Sequence, residues 1–182
     1  MNRFIAATPS KCIGCRTCEV ACVLAHAGDT GVEGLSPLTF MPRLTTIKTR
    51  DISVAVTCHH CDDAPCVNAC PCSAIVYRNN SVQVEQDRCI GCKTCMVACP
   101  FGAMNIVTVP MTRHFAGVKI AIGMKALAQK CDLCSGRDSG PACASVCPTK
   151  ALQIVDRNEM NQTLRQRQTR AAYELVGEAA AL

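Results

Sequence analysis

Apolar residues in this chain gather in short stretches, each set off by glycine, proline or asparagine. Residues 3–8 predict a short strand. Residues 43–50 and 52–57 are rich in Thr, Ile and Val and predict a hairpin or two strands, the second with clear alternation. Ala74-Ile75-Val76-Tyr77 and Val82-Gln83-Val84 predict a pair of strands joined by the turn residues Asn79-Asn80. Further strands are expected in residues 101–107 and 151–155. Residues 27–42, with Gly28, Gly31, Gly34, Pro37 and Pro42, read as a loop. Residues 108–130 read as a connector whose second part, from Gly117 to Lys130, fits either a helix or a strand. Residues 157–182 predict a helix, because Met160, Leu164, Ala171, Leu175 and Ala179 fall near helical spacing. Its role stays open between a solvated tail and a docking or self-assembly helix. No run of eighteen apolar residues exists, so no membrane span is expected.

These elements are too poor in core formers to fold in the ordinary way. The 182 residues include six aromatics and no Trp, and the hydrophobic share of 49% counts seventeen cysteines. Cysteine at this density implies a disulfide scaffold or metals. The opening Met1-Asn2-Arg3-Phe4 leads almost directly into cysteines, so no secretory signal is expected. A cytoplasmic location with reduced thiols follows, and metal is the better reading.

The spacing of the cysteines names the metal. Cys12, Cys15, Cys18 and Cys22 read C-x2-C-x2-C-x3-C, and Cys89, Cys92, Cys95 and Cys99 repeat that run. Cys58, Cys61, Cys66 and Cys70 form a wider version, and Cys131, Cys134, Cys143 and Cys147 the widest. Pro71, Pro100 and Pro148 each follow a fourth cysteine, whereas Val23 follows Cys22. Structural zinc is the alternative, but four-cysteine zinc sites use paired C-x2-C knuckles. The runs match bacterial iron–sulfur ligand spacing, in which the fourth cysteine of one run ligates the other cluster. Sixteen thiolates suffice for four [4Fe-4S] clusters.

The repeat unit is a cysteine loop, a short helix (residues 16–26 in the first copy) and a short strand. The first and third runs are tight copies; the second and fourth share a wide gap before a third cysteine. The second and third runs are adjacent and are expected to pair, which leaves the first to pair with the fourth. Cys147 then completes the set of Cys12, Cys15 and Cys18; Cys99 that of Cys58, Cys61 and Cys66; Cys70 that of Cys89, Cys92 and Cys95; and Cys22 that of Cys131, Cys134 and Cys143. With every cubane fully ligated, no iron is open to substrate and no catalytic constellation remains.

The formal charge of +5 assumes neutral thiols. Each oxidised cubane with its thiolates carries about −2, so the loaded chain sits near about −3. A nucleic-acid role is not expected, since stacking aromatics and nucleic-acid motifs are absent. Lys11, Arg16, Arg88, Lys93 and Lys130 flank cysteines, either as solvated charge or as compensation that raises cluster potentials. Cys72 is expected to be a small buried residue beside a cluster, with a spare ligand or reactive thiol as the alternative. His59 and His60 are expected near cluster sulfurs or at the surface. His26 and His114 have no partner pattern.

At this point the chain resembles the four-cluster electron-transfer subunits of molybdopterin oxidoreductase and hydrogenase systems. It is similar to the small ferredoxin-like subunits of formate hydrogenlyase and of hydrogen-dependent carbon dioxide reductase. The resemblance rests on Met1 to Phe4, Lys11 to Glu19, Pro42-Arg43-Leu44, Cys58-His59-His60-Cys61 with Ala64-Pro65-Cys66, Cys89 to Cys95, Lys130 to Cys134, and Gly140 to Cys143 with Cys147-Pro148-Thr149. It implies an α+β fold of two nested bacterial 2[4Fe-4S] ferredoxin-like modules with a C-terminal helix. Residues 1–57 with 111–156 would form the outer module, 58–110 the inner one and 157–182 the helix. It also implies a non-catalytic one-electron wire between a molybdenum or tungsten formate dehydrogenase subunit and a hydrogenase subunit. The helix could hold another copy or a paralogue. A diffusible polyferredoxin or a maturation accessory is the competing reading.

Overall fold

The computed structural model describes residues 2–28, 31–33, 35–115 and 117–179. Gly34 of the expected loop and residues 180–182 of the expected helix lie outside them, as do the side chains of His114, Leu175 and Ala179.

The elements are short and the sheets are all two-stranded, which makes the fold α+β. Strand β1 (Arg3–Ala7) pairs antiparallel with the last strand, β8 (Leu152–Asp156), placing Ile5 opposite Ile154. The Thr8 N–H extends the ladder to the Ala151 carbonyl at 2.8 Å. The two ends of the cysteine-bearing sequence are thereby joined, and Ile5 is almost fully buried.

Strands β2 (Thr45–Lys48) and β3 (Ser53–Val56) form the expected hairpin. So do β4 (Ile75–Arg78) and β5 (Ser81–Val84). Their turn places Asn79 and Asn80 at φ 52° and 53°, the left-handed pair that a two-residue turn of this type requires.

Four helices follow the cysteine loops. They are α1 (Thr17–His26), α2 (Pro65–Asn68), α3 (Thr94–Ala98) and α4 (Ala142–Ser145). Helix α1 packs on α4, and α2 on α3. Proline at the start of α2 is pre-set for the helical φ and has no N–H to leave unpaired.

The connector expected at 108–130 is most of a long ribbon, and its second part takes the strand alternative. Strand β6 (Asn105–Phe115) runs antiparallel to β7 (Val118–Gln129), with a register shift at Met111/Thr112. The shift breaks the period-two pattern midway, which is why alternation did not mark the segment as strand. Residues 110 and 111 are consecutive within β6. The ribbon base covers the third cysteine loop. A Cβ at Gly91, where φ is +71°, would lie 2.5 Å from the Ala126 carbonyl oxygen, so only glycine fits.

Among the described residues, most buried apolar side chains gather in two clusters. One joins Ile5, Leu44, Ala55, Leu133 and Leu152 with Cys18, Cys22, Cys131 and Cys143. The other joins Ala64, Ala74, Ile75, Val82, Met104 and Ala128 with Cys66, Cys89 and Cys95. Cysteines stand where an ordinary domain would place aromatic residues.

Helix α5 (Arg157–Ala179) leaves this body with nearly every described side chain exposed. Arg157 anchors its start. Its guanidinium lies 5.1 Å from the centre of the Phe4 ring, donates to the His59 carbonyl at 3.1 Å and pairs with Asp62 at 3.3 Å. His59 in turn stacks on Phe101, with ring centres 4.0 Å apart.

Candidate iron–sulfur ligand sites

All seventeen cysteines are free. Cys12, Cys15, Cys18 and Cys147 line one small cavity, floored by Ala7 and Leu152. Cys70, Cys89, Cys92 and Cys95 line a second, together with Cys72. The thiol of Cys66 is within electrostatic reach of Cys58, Cys61 and Cys99. That of Cys143 is within reach of Cys22 and Cys134, and also of Cys18. Cys131 feels both Cys143 and Cys58. The first three groupings each draw three cysteines from one run and one from another, and the fourth joins Cys134 and Cys143 to Cys22 and Cys18 of the first run.

Local backbone chemistry explains how the loops present sulfur. Gly14 and Gly91 take φ values of +67° and +71°, and Arg16 and Lys93 follow at +61° and +69°. This repeated left-handed pattern turns the chain around a point instead of along a line. The Thr17 hydroxyl donates to Cys15 Sγ at 3.3 Å, and Thr94 does the same for Cys92 at 3.4 Å. Each bond holds its thiol below the ordinary value. The Ala74 N–H reaches Cys70 Sγ at 3.3 Å and the Ala151 N–H reaches Cys147 Sγ at 3.2 Å. Such donors stabilise a thiolate and the reduced form of whatever it ligates.

The inner thiols behave oppositely. Burial pushes Cys66 up to about 11 and Cys143 up to about 12, and it raises Cys131 as well. A neutral thiol is the stable form at such a site until a cation takes the proton's place. Paired thiols without disulfides, presented by tight loops with N–H and O–H donors aimed at sulfur, fit iron–sulfur ligation.

Several functional neighbours had no signature in the sequence. His26 Nε2 lies 3.1 Å from Asp132 Oδ1, and Arg43 Nη1 donates to Asp132 Oδ2 at 2.5 Å. The Asp132 carboxylate first, then the Cys22 thiol 3.9 Å from Nδ1 and the Cys22 carbonyl 2.7 Å from it, raise His26 to about 10. Burial pushes Asp132 up, but His26 and Arg43 outweigh it and hold the carboxyl near about 2. The Asp132 carboxylate also accepts from the Cys134 N–H at 2.9 Å, and the Arg43 N–H points at Cys22 Sγ at 3.4 Å. Thus His26, which has no partner pattern in the sequence, is the far end of a network that reaches the fourth run through the Cys134 N–H. Glu19 is buried and accepts from the Thr46 N–H at 2.5 Å. His60 is fully buried and accepts the Val82 N–H at Nδ1, 3.0 Å away. Cys72 is half-buried, its Sγ 3.7 Å from that of Cys70.

Two family models, each described as a 4Fe-4S binding domain, match residues 81–104 and 9–22. The electron transport protein HydN of Escherichia coli (strain K12) is 53% identical over 173 residues, spanning 94% of this chain and 98% of that protein. The chain belongs to the HydN family of 4Fe-4S electron-transport proteins. Within Escherichia coli (strain K12), the putative electron transport protein YsaA is 52% identical over 156 residues, covering 86% of this chain and 91% of its own. Hydrogenase-4 component A is 36% identical over 194 residues, covering 94% and 91%. This member of the family therefore binds 4Fe-4S clusters and transfers electrons. Among the described residues, no helix is long and apolar enough to cross a membrane.

Proposed function

We propose that the chain is a non-catalytic wire of four [4Fe-4S] clusters that relays single electrons between a formate dehydrogenase subunit and a hydrogenase subunit in the cytoplasm. One cluster is held by Cys12, Cys15, Cys18 and Cys147, and one by Cys58, Cys61, Cys66 and Cys99. The others are held by Cys89, Cys92, Cys95 and Cys70, and by Cys131, Cys134, Cys143 and Cys22. The observation that carries this reading is the crossed grouping of the thiols. Cys147 shares a cavity with Cys12, Cys15 and Cys18, Cys70 shares one with Cys89, Cys92 and Cys95, Cys99 is within electrostatic reach of Cys66 beside Cys58 and Cys61, and Cys22 is within reach of Cys143.

Residues 1–57 with 111–156 act as the outer module and 58–110 as the inner one, with the helix from 157 set apart. The β1–β8 pairing and the α1–α4 and α2–α3 contacts support that division, while the β6–β7 ribbon crosses its 110/111 boundary and packs Ala128 among inner-module residues. The clusters supply one-electron chemistry. The protein's own residues fix the sulfurs, exclude water from the inner thiols and direct N–H and O–H donors at the outer ones. The exposed thiols Cys15 and Cys92 lie in the tight loops of different groupings, which suits them as points of electron entry and exit. The name of hydrogenase-4 component A supports the hydrogenase end of the relay.

The test is to isolate the chain anaerobically from its host and add formate or hydrogen separately. Reduction of its clusters by both, in a stoichiometric complex with the two catalytic subunits, is the expected result. A chain that isolates alone and is reduced by neither would instead be a diffusible or accessory carrier.

A further inference from the structure

Lys130 is buried, with 4% of its surface exposed. Its Nζ donates to the carbonyl of Val82 in β5 and, at 2.8 Å, to that of Cys131. No carboxylate among the described residues lies within ion-pair distance of it; the adjacent Asp132 is taken by His26 and Arg43. An ammonium buried against carbonyl dipoles alone is unfavourable unless some other negative charge compensates it.

The compensating groups are at hand. The ammonium rests on the carbonyl of Cys131 itself, and its other acceptor, Val82, packs in the same buried cluster as Cys66; its charge favours the thiolates of both. Cys66 belongs with Cys58, Cys61 and Cys99, and Cys131 with Cys143, Cys22 and Cys134. Cys58 is near both Cys66 and Cys131, so the two groupings adjoin. The ammonium is also held in place. Val82 accepts from Lys130 through its carbonyl and donates through its N–H to the ring of His60, which has no surface exposed. The other basic residues that flank cysteines, Lys11, Arg16, Arg88 and Lys93, are exposed, and water and salt screen them.

We propose that Lys130 is the shared counter-cation of the two clusters held by the Cys58/Cys61/Cys66/Cys99 and Cys22/Cys131/Cys134/Cys143 groupings, raising the reduction potentials of both while leaving the other two unchanged. The proposal rests on the four-cluster reading. Each reduction adds one negative charge to a cubane, and a fixed buried cation favours that form. One electron passes between neighbouring cubanes, one being oxidised as the other is reduced, with no bond or proton moved.

The experiment is an EPR-monitored redox titration of the loaded wild-type chain and of Lys130→Gln, Lys130→Met and Lys130→Arg. Gln retains donors for the two carbonyls but removes the charge. Four clusters in the wild type, with two midpoints shifted downward in Lys130→Gln and Lys130→Met and largely restored in Lys130→Arg, is the expected result. Midpoints that all stay put, or all shift equally, overturn the proposal. If the neutral variants load incompletely, losses confined to the two groupings named support it, and loss of all four clusters overturns it. A wild-type chain that lacks four clusters refutes the underlying reading instead, so the two failures are distinct.

Discussion

Cys15 and Cys147 line the same small cavity although one lies in the first cysteine run and the other closes the last. The β1–β8 ladder causes this. It sets Ala7, just ahead of the first run, opposite Leu152, just after the fourth. The strand pairing thus brings a thiol of the fourth run beside the loop of the first.

That relationship fixes which cluster a ligand substitution damages. Cys147→Ala is expected to disturb the cluster of Cys12, Cys15 and Cys18 and to spare that of Cys131, Cys134 and Cys143. Cys22→Ala should do the reverse. EPR of the two variants against the wild type checks this, and damage confined to the substituted residue's own run would refute the crossed arrangement.

Cysteines fill the centres of both buried clusters of side chains. Removing iron leaves buried thiols with few large apolar neighbours, so chelation is expected to abolish cooperative unfolding. Circular dichroism of the chelated chain checks it; a native-like cooperative melt would contradict it.

Reloading the chain must displace a proton from every thiol that becomes a ligand, because the thiolate is the form that binds iron. Reconstitution with iron and sulfide is therefore expected to release protons and to accelerate as pH rises from about 7 to about 9. Unbuffered stopped-flow with a pH indicator measures both.

The His26–Asp132–Arg43 network gives a pH window. The folded Asp132 carboxyl is held near about 2, so its contribution is present above the ordinary carboxylate value and is lost as pH falls toward 2. His26 is raised to about 10, so its contribution is complete below its ordinary value and is lost as pH rises through about 10. Cluster release in guanidinium is expected to be slowest between about pH 4 and pH 6.5. Asp132→Asn should cost about 1–3 kcal/mol and flatten that profile. An unchanged profile would show that the network does not brace the fourth run.

Gly91→Ala forces a Cβ against the Ala126 carbonyl at a positive φ, whereas Gly102, also at positive φ, has open space around it. The first substitution is expected to cost about 2 kcal/mol or more, the second about 1 kcal/mol. Parallel thermal melts of the loaded variants rank them.

Much of this was legible in the sequence because local chemistry decided it. Asn79-Asn80 marked a hairpin, alternation marked β3, and the cysteine spacing marked the metal. The strand option left open for Gly117 to Lys130 is the one realised in β7, but the pairing of residues 108–115 with it was not foreseen, because the register shift at Met111/Thr112 breaks the pattern. The partners of His26 and Lys130 were missed for a different reason. Asp132 lies 106 residues from His26, and Val82 lies 48 from Lys130; only the folded chain brings such pairs together. The burial of Glu19 is hidden likewise, since an acid on a short helix ordinarily faces water.

The most direct test of the central claim is iron and acid-labile sulfide per chain, with Mössbauer spectra, on anaerobically isolated protein. Four cubanes predict about sixteen irons and sixteen sulfides, all in fully thiolate-ligated clusters. About eight irons, or zinc in their place, would contradict the account.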